Sequence, residues 1–282
     1  MSIKVVTDST SYIPEELLKK YDITLVSLSV LIDGENIREL DIDHKSFYER
    51  MSKAKSIPTS SQPSVGEITD AFEKIIQNGD QIFAVFLSSK MSGTYSTALM
   101  VKKQLLAKYP EAEIEIFDSG SNSMQLGFIA LHAAMAGVDG SSMTEVIMIA
   151  EHIRTHSRFI FTPEVLDYLK KGGRIGKASA LLGNLLQIKP VLTVNDGETD
   201  VFAKVRTKKK AVETIVNGML EEVKGHEIGG VIVHHINCPE EGQVLADSLA
   251  EQFGIEVKIQ SIGPIIGVHV GPGAIGVVYW WK

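Results

Sequence analysis

Hydroxyl side chains cluster after three apolar segments in the first half of the chain. The clusters occupy residues 7–10, 88–94 and 118–121. Several hydroxyls, together with amides at helix N-termini, can donate hydrogen bonds to a carboxylate or a phosphate without an ion pair. The alternative role is helix capping, which is the commoner one for any single Ser or Thr. Because the clusters follow successive strand-like segments, we expect them to converge on an anion-binding crevice.

Ser92 and Thr94 are the sharpest candidates because they flank Gly93. Glycine lets the backbone approach a ligand, and the two hydroxyls could donate to both oxygens of a carboxylate. A plain helix N-cap explains the same pattern equally well. A serine nucleophile is the weaker interpretation, because the sequence has no G-x-S-x-G elbow and offers no identifiable base. A fourth hydroxyl cluster, residues 59–61, lies in a loop restricted by two prolines.

Two glycine-rich segments and one basic run in the second half carry charged or titratable side chains. In KKGGRIGK, residues 170–177, the lysines and glycines are typical of a helix C-terminus, but Arg174 follows the stop and suits recognition of phosphate or carboxylate. His269 lies between two Gly/Pro turns and could donate to an anion or relay a proton, although an isolated histidine is more often structural. Arg206 begins a basic run at the start of a predicted helix, where positive charge is locally unfavourable.

Strand and helix patterns alternate through the first half of the chain. The predicted strands are residues 3–6, 24–32, 82–87 and 114–117, and the predicted helices are 14–21, 65–77, 95–108 and 124–135. This alternation indicates crossover connections and a mainly parallel sheet. In the second half, Asp196-Gly197 favours a tight hairpin turn, which requires antiparallel strands.

These patterns predict an α/β fold of two domains. Residues 1–160 are expected to form an N-terminal domain with a mainly parallel sheet and helices on both faces. Residues 161–282 are expected to form a C-terminal α/β domain with a mixed or antiparallel sheet. Residues 262–281 are nearly uncharged, but their glycines and prolines indicate turns and not a transmembrane span.

Composition excludes several classes of protein. The chain has 282 residues, 44% of them hydrophobic, which is enough for folded domains and argues against disorder. The formal net charge is −7, from 28 basic and 35 acidic residues, which argues against a nucleic-acid or membrane-surface binder.

The single cysteine, Cys238, excludes an internal disulfide and suits a reducing compartment. Because no secretion signal precedes the first strand, we expect a cytoplasmic protein. The sequence shows no metal or cofactor motif.

Eight segments of this chain together resemble the DegV family of bacterial fatty-acid-binding proteins. The resemblance extends from the first predicted strand to the C-terminus and therefore covers essentially the whole chain. The segments are VTDSTSYIP, PTSSQPSVGE, LSSKMSGTYSTA, IFDSGSNSMQLG, LDYLKKGGRIGK, LLQIKPVL, VRTKKKA and IGPIIGVHVGPGAIGVV.

The resemblance implies two α/β domains that enclose a long-chain fatty acid, with the N-terminal domain carrying the carboxylate-binding loops and the C-terminal domain covering the acyl chain. The carboxylate ligands then map to Ser92, with Thr94 beside it, and to Ser60, with Ser61 or Thr59 as neighbours that could replace it. His269 maps close to the headgroup. Arg174 and Arg206 map to basic positions for kinase docking or phosphoryl transfer.

The function predicted in this way is that of a lipid carrier. The resemblance implies this because some members of the family present the bound fatty acid to a separate ATP-dependent fatty acid kinase, which makes an acyl-phosphate, while other members are known only as lipid binders. The alternative is an independent hydrolase or phosphotransferase that uses Ser92 or His269 with Arg174. A DNA-binding regulator is disfavoured by the acidic net charge.

Overall fold

The computed structural model describes residues 2–182 and 188–282. The segment LLQIKPVL begins at residue 185, so its first three residues lie outside the described ranges. The strands are β1 (Ile3–Asp8), β2 (Thr24–Val26), β3 (Ser29–Ile32), β4 (Glu35–Arg38), β5 (Thr59–Ser61), β6 (Gln81–Phe86), β7 (Ile114–Asp118), β8 (Ser157–Thr162), β9 (Lys189–Asn195), β10 (Glu198–Val205), β11 (Ile228–His235), β12 (Lys258–Ser261) and β13 (Ile275–Trp281). The α-helices are α1 (Glu15–Lys20), α2 (His44–Lys53), α3 (Val65–Gln77), α4 (Thr94–Lys108), α5 (Ser123–Val138), α6 (Met143–Thr155), α7 (Asp167–Lys171), α8 (Lys208–Glu222), α9 (Pro239–Phe253) and α10 (Pro264–Val270).

The chain divides into two compact units. The first consists of Met1–Ser29, Arg38–Leu40 and Ser60–Thr155, and the second of Val30–Ile37, Asp41–Thr59 and His156–Lys282. The main break in the chain, between Thr155 and His156, lies a few residues before the predicted boundary at 160. The second unit also takes in two segments from the first third of the sequence, whereas the prediction divided the chain into two continuous halves.

The first unit contains a four-stranded sheet in the order β2-β1-β6-β7, and all three pairings are parallel. Helices cover both faces. On one face, Val6 of β1 packs with Ile68 of α3 and Val101 of α4. On the other face, α5 approaches so closely that a methyl group at Gly137 would lie 2.8 Å from the carbonyl oxygen of Ile3. The predicted parallel sheet with helices on both faces is confirmed.

The segment 24–32 forms two strands, so its prediction as one strand is wrong. β2 belongs to the parallel sheet, and β3 is the central strand of a separate sheet in the order β4-β3-β5. Side chains bind the backbone at the break in place of a neighbouring strand. The Ser27 N–H donates to Glu67 Oε1 at 2.8 Å, and the Leu28 N–H donates to Ser9 Oγ at 3.2 Å. These bonds satisfy amides that a continuous strand would pair in its ladder.

The second unit contains a six-stranded mixed sheet in the order β10-β9-β8-β13-β11-β12. The β11–β12 pairing is parallel and the others are antiparallel. β9 and β10 form the predicted hairpin, in which Asn195 pairs with Glu198 and both turn residues, Asp196 and Gly197, have positive φ. The predicted α/β fold with a mixed second sheet is therefore confirmed.

The segment around His269 is helical, which the two Gly/Pro motifs did not predict. Pro264 occupies the first turn of α10, where its missing N–H costs nothing because that amide has no partner within the helix. Gly271 ends the helix with φ of 86°, a conformation that favours glycine. The glycine stop predicted after the lysines is confirmed, because α7 ends at Lys171 and Gly173 has φ of 70°.

Candidate functional site

The three hydroxyl clusters lie at the carboxyl ends of neighbouring parallel strands in the first unit. Loop contacts bring them together. The Leu87 N–H, after β6, donates to Asp8 Oδ2 at the end of β1, at 2.8 Å. The Ser88 N–H donates to the Ser121 carbonyl oxygen at 2.7 Å, which joins the loops after β6 and β7. The convergence expected from the sequence is therefore present at this edge of the sheet.

Asp8 holds this edge together as a buried acceptor. Its Oδ1 accepts hydrogen bonds from the Thr10 N–H at 2.9 Å and from Thr10 Oγ1 at 2.5 Å. Burial raises the pKa of the Asp8 carboxyl to about 6, although its hydrogen bonds with Thr10 and Leu87 act in the opposite direction. Asp8 therefore has a structural role as the cap of the turn that follows β1.

Ser92 and Thr94 form a hydroxyl pair at the N-terminus of α4. The two side-chain oxygens are 3.0 Å apart, and the Thr94 N–H donates to Ser92 Oγ at 3.3 Å. Thr94 is buried and Ser92 is half-buried. Ser92 thus precedes the N-cap residue Gly93, and its hydroxyl lies at the helix N-terminus, where an anion is electrostatically favoured.

Gln62 connects the fourth hydroxyl cluster, residues 59–61, to this pair, although no sequence motif pointed to it. Its side chain covers Gly93 so closely that a methyl group there would lie 2.0 Å from Gln62 Oε1. Its Nε2 donates to Thr97 Oγ1 of α4 at 2.5 Å. The end of β5, with Ser60 and Ser61, therefore leads directly onto α4. The sequence feature that marks this contact is Gly93, whose missing side chain leaves space for the Gln62 side chain.

Ser60 and Ser61 differ in their surroundings. Successive side chains of a strand point to opposite faces, and in β5 Ser60 is half-buried while Ser61 and Thr59 are exposed. Of the three hydroxyls that the sequence left as alternatives, Ser60 is thus the one in a partly enclosed environment.

His269, in the second unit, lies in the last turn of α10 against Gly172. A methyl group at Gly172 would lie 2.3 Å from His269 Nδ1, so the absence of a side chain at 172 gives the imidazole its space. Burial, together with the positive charge of Arg174, lowers the pKa of His269 to about 4. At neutral pH the ring is therefore uncharged and presents one donor and one acceptor nitrogen.

Arg174 is joined to the His269 environment through the backbone of Gly172. Its Nη1 donates to the Gly172 carbonyl oxygen at 2.7 Å, while the side chain remains exposed. Arg206 is also exposed and directly precedes Thr207, whose hydroxyl caps α8. Within the described residues no hydrogen bond or ion pair connects Arg206 to Arg174 or to His269. The structure thus associates Arg174 with His269 and leaves Arg206 at a separate helix start.

A reciprocal glycine contact sets the approach of α7 to α10. A methyl group at Gly271, after α10, would lie 2.3 Å from Cδ2 of Tyr168 in α7. A methyl group at Gly172, after α7, would meet His269 of α10, as described above. Each helix therefore places a ring against the glycine that ends the other.

Membrane-spanning helices and metal-binding clusters are both absent from the described residues. Among the helices in ranges 2–182 and 188–282, none combines the length and apolarity needed to cross a bilayer. In the same ranges no three His, Cys, Asp or Glu side chains come together as a metal-binding group.

Comparisons with known proteins agree over the whole chain. Residues 2–282 match the family described as uncharacterised protein, DegV family. The chain is 52% identical over 280 residues to a DegV domain-containing protein of Clostridium acetobutylicum, covering 99% of this chain and 98% of that relative.

Solved structures extend the comparison to the fold. The crystal structure of DegV, a fatty acid binding protein from Bacillus subtilis, matches with a TM-score of 0.90 and 34% identity, covering 100% of both chains. The structure of a stearic acid-binding protein from Eubacterium ventriosum matches with a TM-score of 0.91 and 28% identity, covering 99% of this chain and 98% of that one. These similarities cover both units.

Proposed function

The chain belongs to the DegV family, and from this premise we propose that it binds a long-chain fatty acid such as palmitate. In this proposal it is a cytoplasmic carrier that presents the carboxylate to a separate ATP-dependent fatty acid kinase, which forms the acyl-phosphate. The similarity to a fatty acid binding protein and to a stearic acid-binding protein supports the lipid class.

The observation that carries the proposal is the hydroxyl pair of Ser92 and Thr94 at the N-terminus of α4. Neutral donors at a helix N-terminus can hold a carboxylate without an ion pair, which leaves a carboxylate oxygen available for phosphorylation. The proposed roles follow the resemblance. The carboxylate ligands are Ser60, Ser61, Ser92, Thr94 and His269, and the residues for the kinase or phosphoryl transfer are Arg174 and Arg206.

Burial of the acyl chain would supply most of the binding free energy. A chain of about 14 methylenes at ~0.8 kcal/mol each gives on the order of 11 kcal/mol before the costs of ordering are subtracted. The headgroup therefore has to contribute only enough to compensate for the desolvation of the carboxylate.

No observation on the described residues specifically favours the alternative of an independent hydrolase. A serine nucleophile needs a base within hydrogen-bond reach. In the part of the chain that the structure describes, the Ser92 hydroxyl is hydrogen-bonded to Thr94 alone, and no His, Asp or Glu is paired with it.

The test of lipid binding compares Ser92→Ala with Ser96→Ala. Ser96 is exposed one helical turn further along α4, so its replacement should leave binding unchanged. Loss of a hydrogen bond to a charged carboxylate should weaken palmitate binding roughly tenfold to a hundredfold in Ser92→Ala. The measurement is displacement of a fluorescent fatty acid by palmitate. Equal displacement by both variants would remove Ser92 from the proposal.

Presentation to the kinase has a separate test. Reversing the charge in Arg206→Glu should lower acyl-phosphate formation with kinase and ATP while palmitate binding stays at the level of the unmodified chain. Lys224→Glu, an exposed charge reversal after α8, is the matched control. If Arg206→Glu and Lys224→Glu support the same rate, Arg206 has no part in docking.

A further inference from the structure

The turn that follows His269 is fixed by contacts within the second unit. Gly271 and Gly273 both have positive φ, of 86° and 84°. The Gly273 N–H donates to the Ile236 carbonyl oxygen at 2.8 Å. The side chain of Glu164 covers Gly273, where a methyl group would lie 3.3 Å from Glu164 Cβ. The backbone that leaves α10 therefore has a defined course.

Lys208 reaches this turn from the start of α8. Its ammonium donates to the Gly273 carbonyl oxygen at 3.1 Å and forms ion pairs with Glu164, at 3.4 Å, and with Glu241. The side chain is 29% exposed, compared with 62% for Lys210 in the same basic run. Burial alone would lower the pKa of Lys208, but the hydrogen bond and charge of Glu241 outweigh it and raise the pKa.

The charges around Lys208 are balanced inside the unit. Glu164 is also paired with Lys189, whose ammonium donates to the Glu164 carbonyl oxygen at 2.9 Å and binds its carboxylate. Two ammonium groups and two carboxylates, including that of Glu241, thus form one cluster. The positive charge of Lys208 is therefore balanced by carboxylates of the second unit. Its neighbour Lys209 is exposed.

We propose that Lys208 is a positioning residue for His269. By holding the Gly273 carbonyl against a neutralised charge cluster, it fixes the exit from α10 and so keeps the imidazole packed on Gly172. This inference rests on the proposed function only for its effect on fatty acid binding. The geometry of the turn can be measured without any ligand.

The first measurement is an NMR titration of the His269 ring in the unliganded chain, with the signal assigned by its loss in His269→Gln. In Lys208→Met the Gly273 carbonyl loses its ammonium donor, which loosens the turn and admits water to the ring, so the pKa of His269 should rise from about 4 towards the ordinary value of 6.5. Lys208→Arg can still donate to Gly273 and should restore the titration of the unmodified chain. Lys209→Met is the matched control and should not change it.

The second measurement is palmitate displacement with the same variants. Lys208→Met should bind palmitate roughly tenfold more weakly, while Lys208→Arg and Lys209→Met should bind as the unmodified chain does. The two proposals can fail separately. If the titration of His269 shifts in Lys208→Met but neither the unmodified chain nor any variant binds palmitate, the positioning role is supported and the proposed function is wrong. A folded Lys208→Met variant with an unchanged His269 titration would overturn the inference.

Glu241→Gln provides a milder perturbation in case Lys208→Met does not fold. It removes one of the two carboxylate charges that pair with Lys208 and keeps the lysine and Glu164. The pKa of His269 should then rise in the same direction by a smaller amount. An unchanged titration in Glu241→Gln would also count against the positioning role.

Discussion

His234 and His269 have pKa values lowered to about 4 for partly different reasons. His234 is fully buried in β11, and burial lowers its pKa although the Gln260 carbonyl oxygen, 3.1 Å from Nδ1, acts in the opposite direction. His269 is affected by burial and by the positive charge of Arg174. Both rings are therefore neutral at pH 7, but only His269 lies near a residue with a proposed role, Arg174.

The buried His234 predicts a dependence of stability on pH. The unfolded chain binds a proton at His234 near pH 6.5, whereas the native state does so only near pH 4. The free energy of unfolding should therefore fall as the pH is lowered from 6.5 to 4, by up to about 3 kcal/mol from this residue. In His234→Gln this part of the fall should disappear. Urea denaturation at several pH values between 4 and 7 measures it.

The titration of Asp8 has the opposite effect on the free energy of unfolding in the same pH range. Its native pKa of about 6 exceeds the ordinary 3.8, so its contribution to stability is lost as the pH rises from about 4 to 6. Because Asp8 is present in both chains, its effect cancels in the difference between the unmodified chain and His234→Gln. Two parallel stability profiles would show that His234 titrates normally in the native state.

At the level of elements, α10 is positioned by its neighbours. Seven residues are too few for a helix to be stable by itself. The Tyr48 hydroxyl of α2 lies 3.1 Å from both the Ile262 and Gly263 carbonyl oxygens, at the start of α10. A methyl group at Gly267 would lie 2.0 Å from the Tyr48 hydroxyl oxygen. Together with the contacts of α7, Tyr48 thus determines where His269 is held.

Removing the Tyr48 hydroxyl should destabilise the second unit. In Tyr48→Phe the carbonyl groups of Ile262 and Gly263 lose a buried donor, which should cost about 1–3 kcal/mol in the free energy of unfolding. Chemical denaturation measures this change. Tyr21→Phe is the matched control, because in the described ranges its hydroxyl has no hydrogen bond, and it should change stability by less than about 0.5 kcal/mol. Equal effects of the two variants would contradict the role of Tyr48.

The sequence predicted those elements whose signals are local. The Asp196-Gly197 turn and the glycine stop after Lys171 follow from backbone preferences of a few residues, and both are present. The break at Ser27 depends on Glu67, forty residues away, and so could not be read from the segment itself. The same limit applies to the site. The hydroxyl pair of Ser92 and Thr94 follows from their spacing, whereas the contact of Lys208 with Gly273 joins residues that are 65 positions apart.

At the scale of the whole molecule, the residues with proposed roles are distributed over both units. The hydroxyl residues Ser60, Ser92 and Thr94 belong to the first unit, and Arg174 and His269 belong to the second. Sequence motifs identified both groups, but their proposed common purpose comes from the family and not from the charge or composition of the chain. A ligand that binds the folded chain and not the unfolded one raises the free energy of unfolding.

Removal of bound lipid should therefore lower the melting temperature. Adding palmitate to delipidated protein at about 100 times its Kd should raise the free energy of unfolding by about 2.7 kcal/mol. Differential scanning fluorimetry with increasing palmitate measures the shift. Methyl palmitate, which lacks the carboxylate, and the Ser92→Ala variant should both give smaller shifts at the same concentration. A melting temperature that palmitate does not change would argue against the carrier function.

The paired glycine contacts between α7 and α10 restrict how this site could be redesigned. A methyl group at 172 would overlap the imidazole at 269, and one at 271 would overlap the ring at 168. A side chain at 172 therefore requires a smaller residue at 269 and a shift of the Tyr168 carbonyl, which a methyl group at 172 would approach to 3.0 Å. Position 271 stays restricted to glycine even when 168 is made smaller, because its φ is 86°.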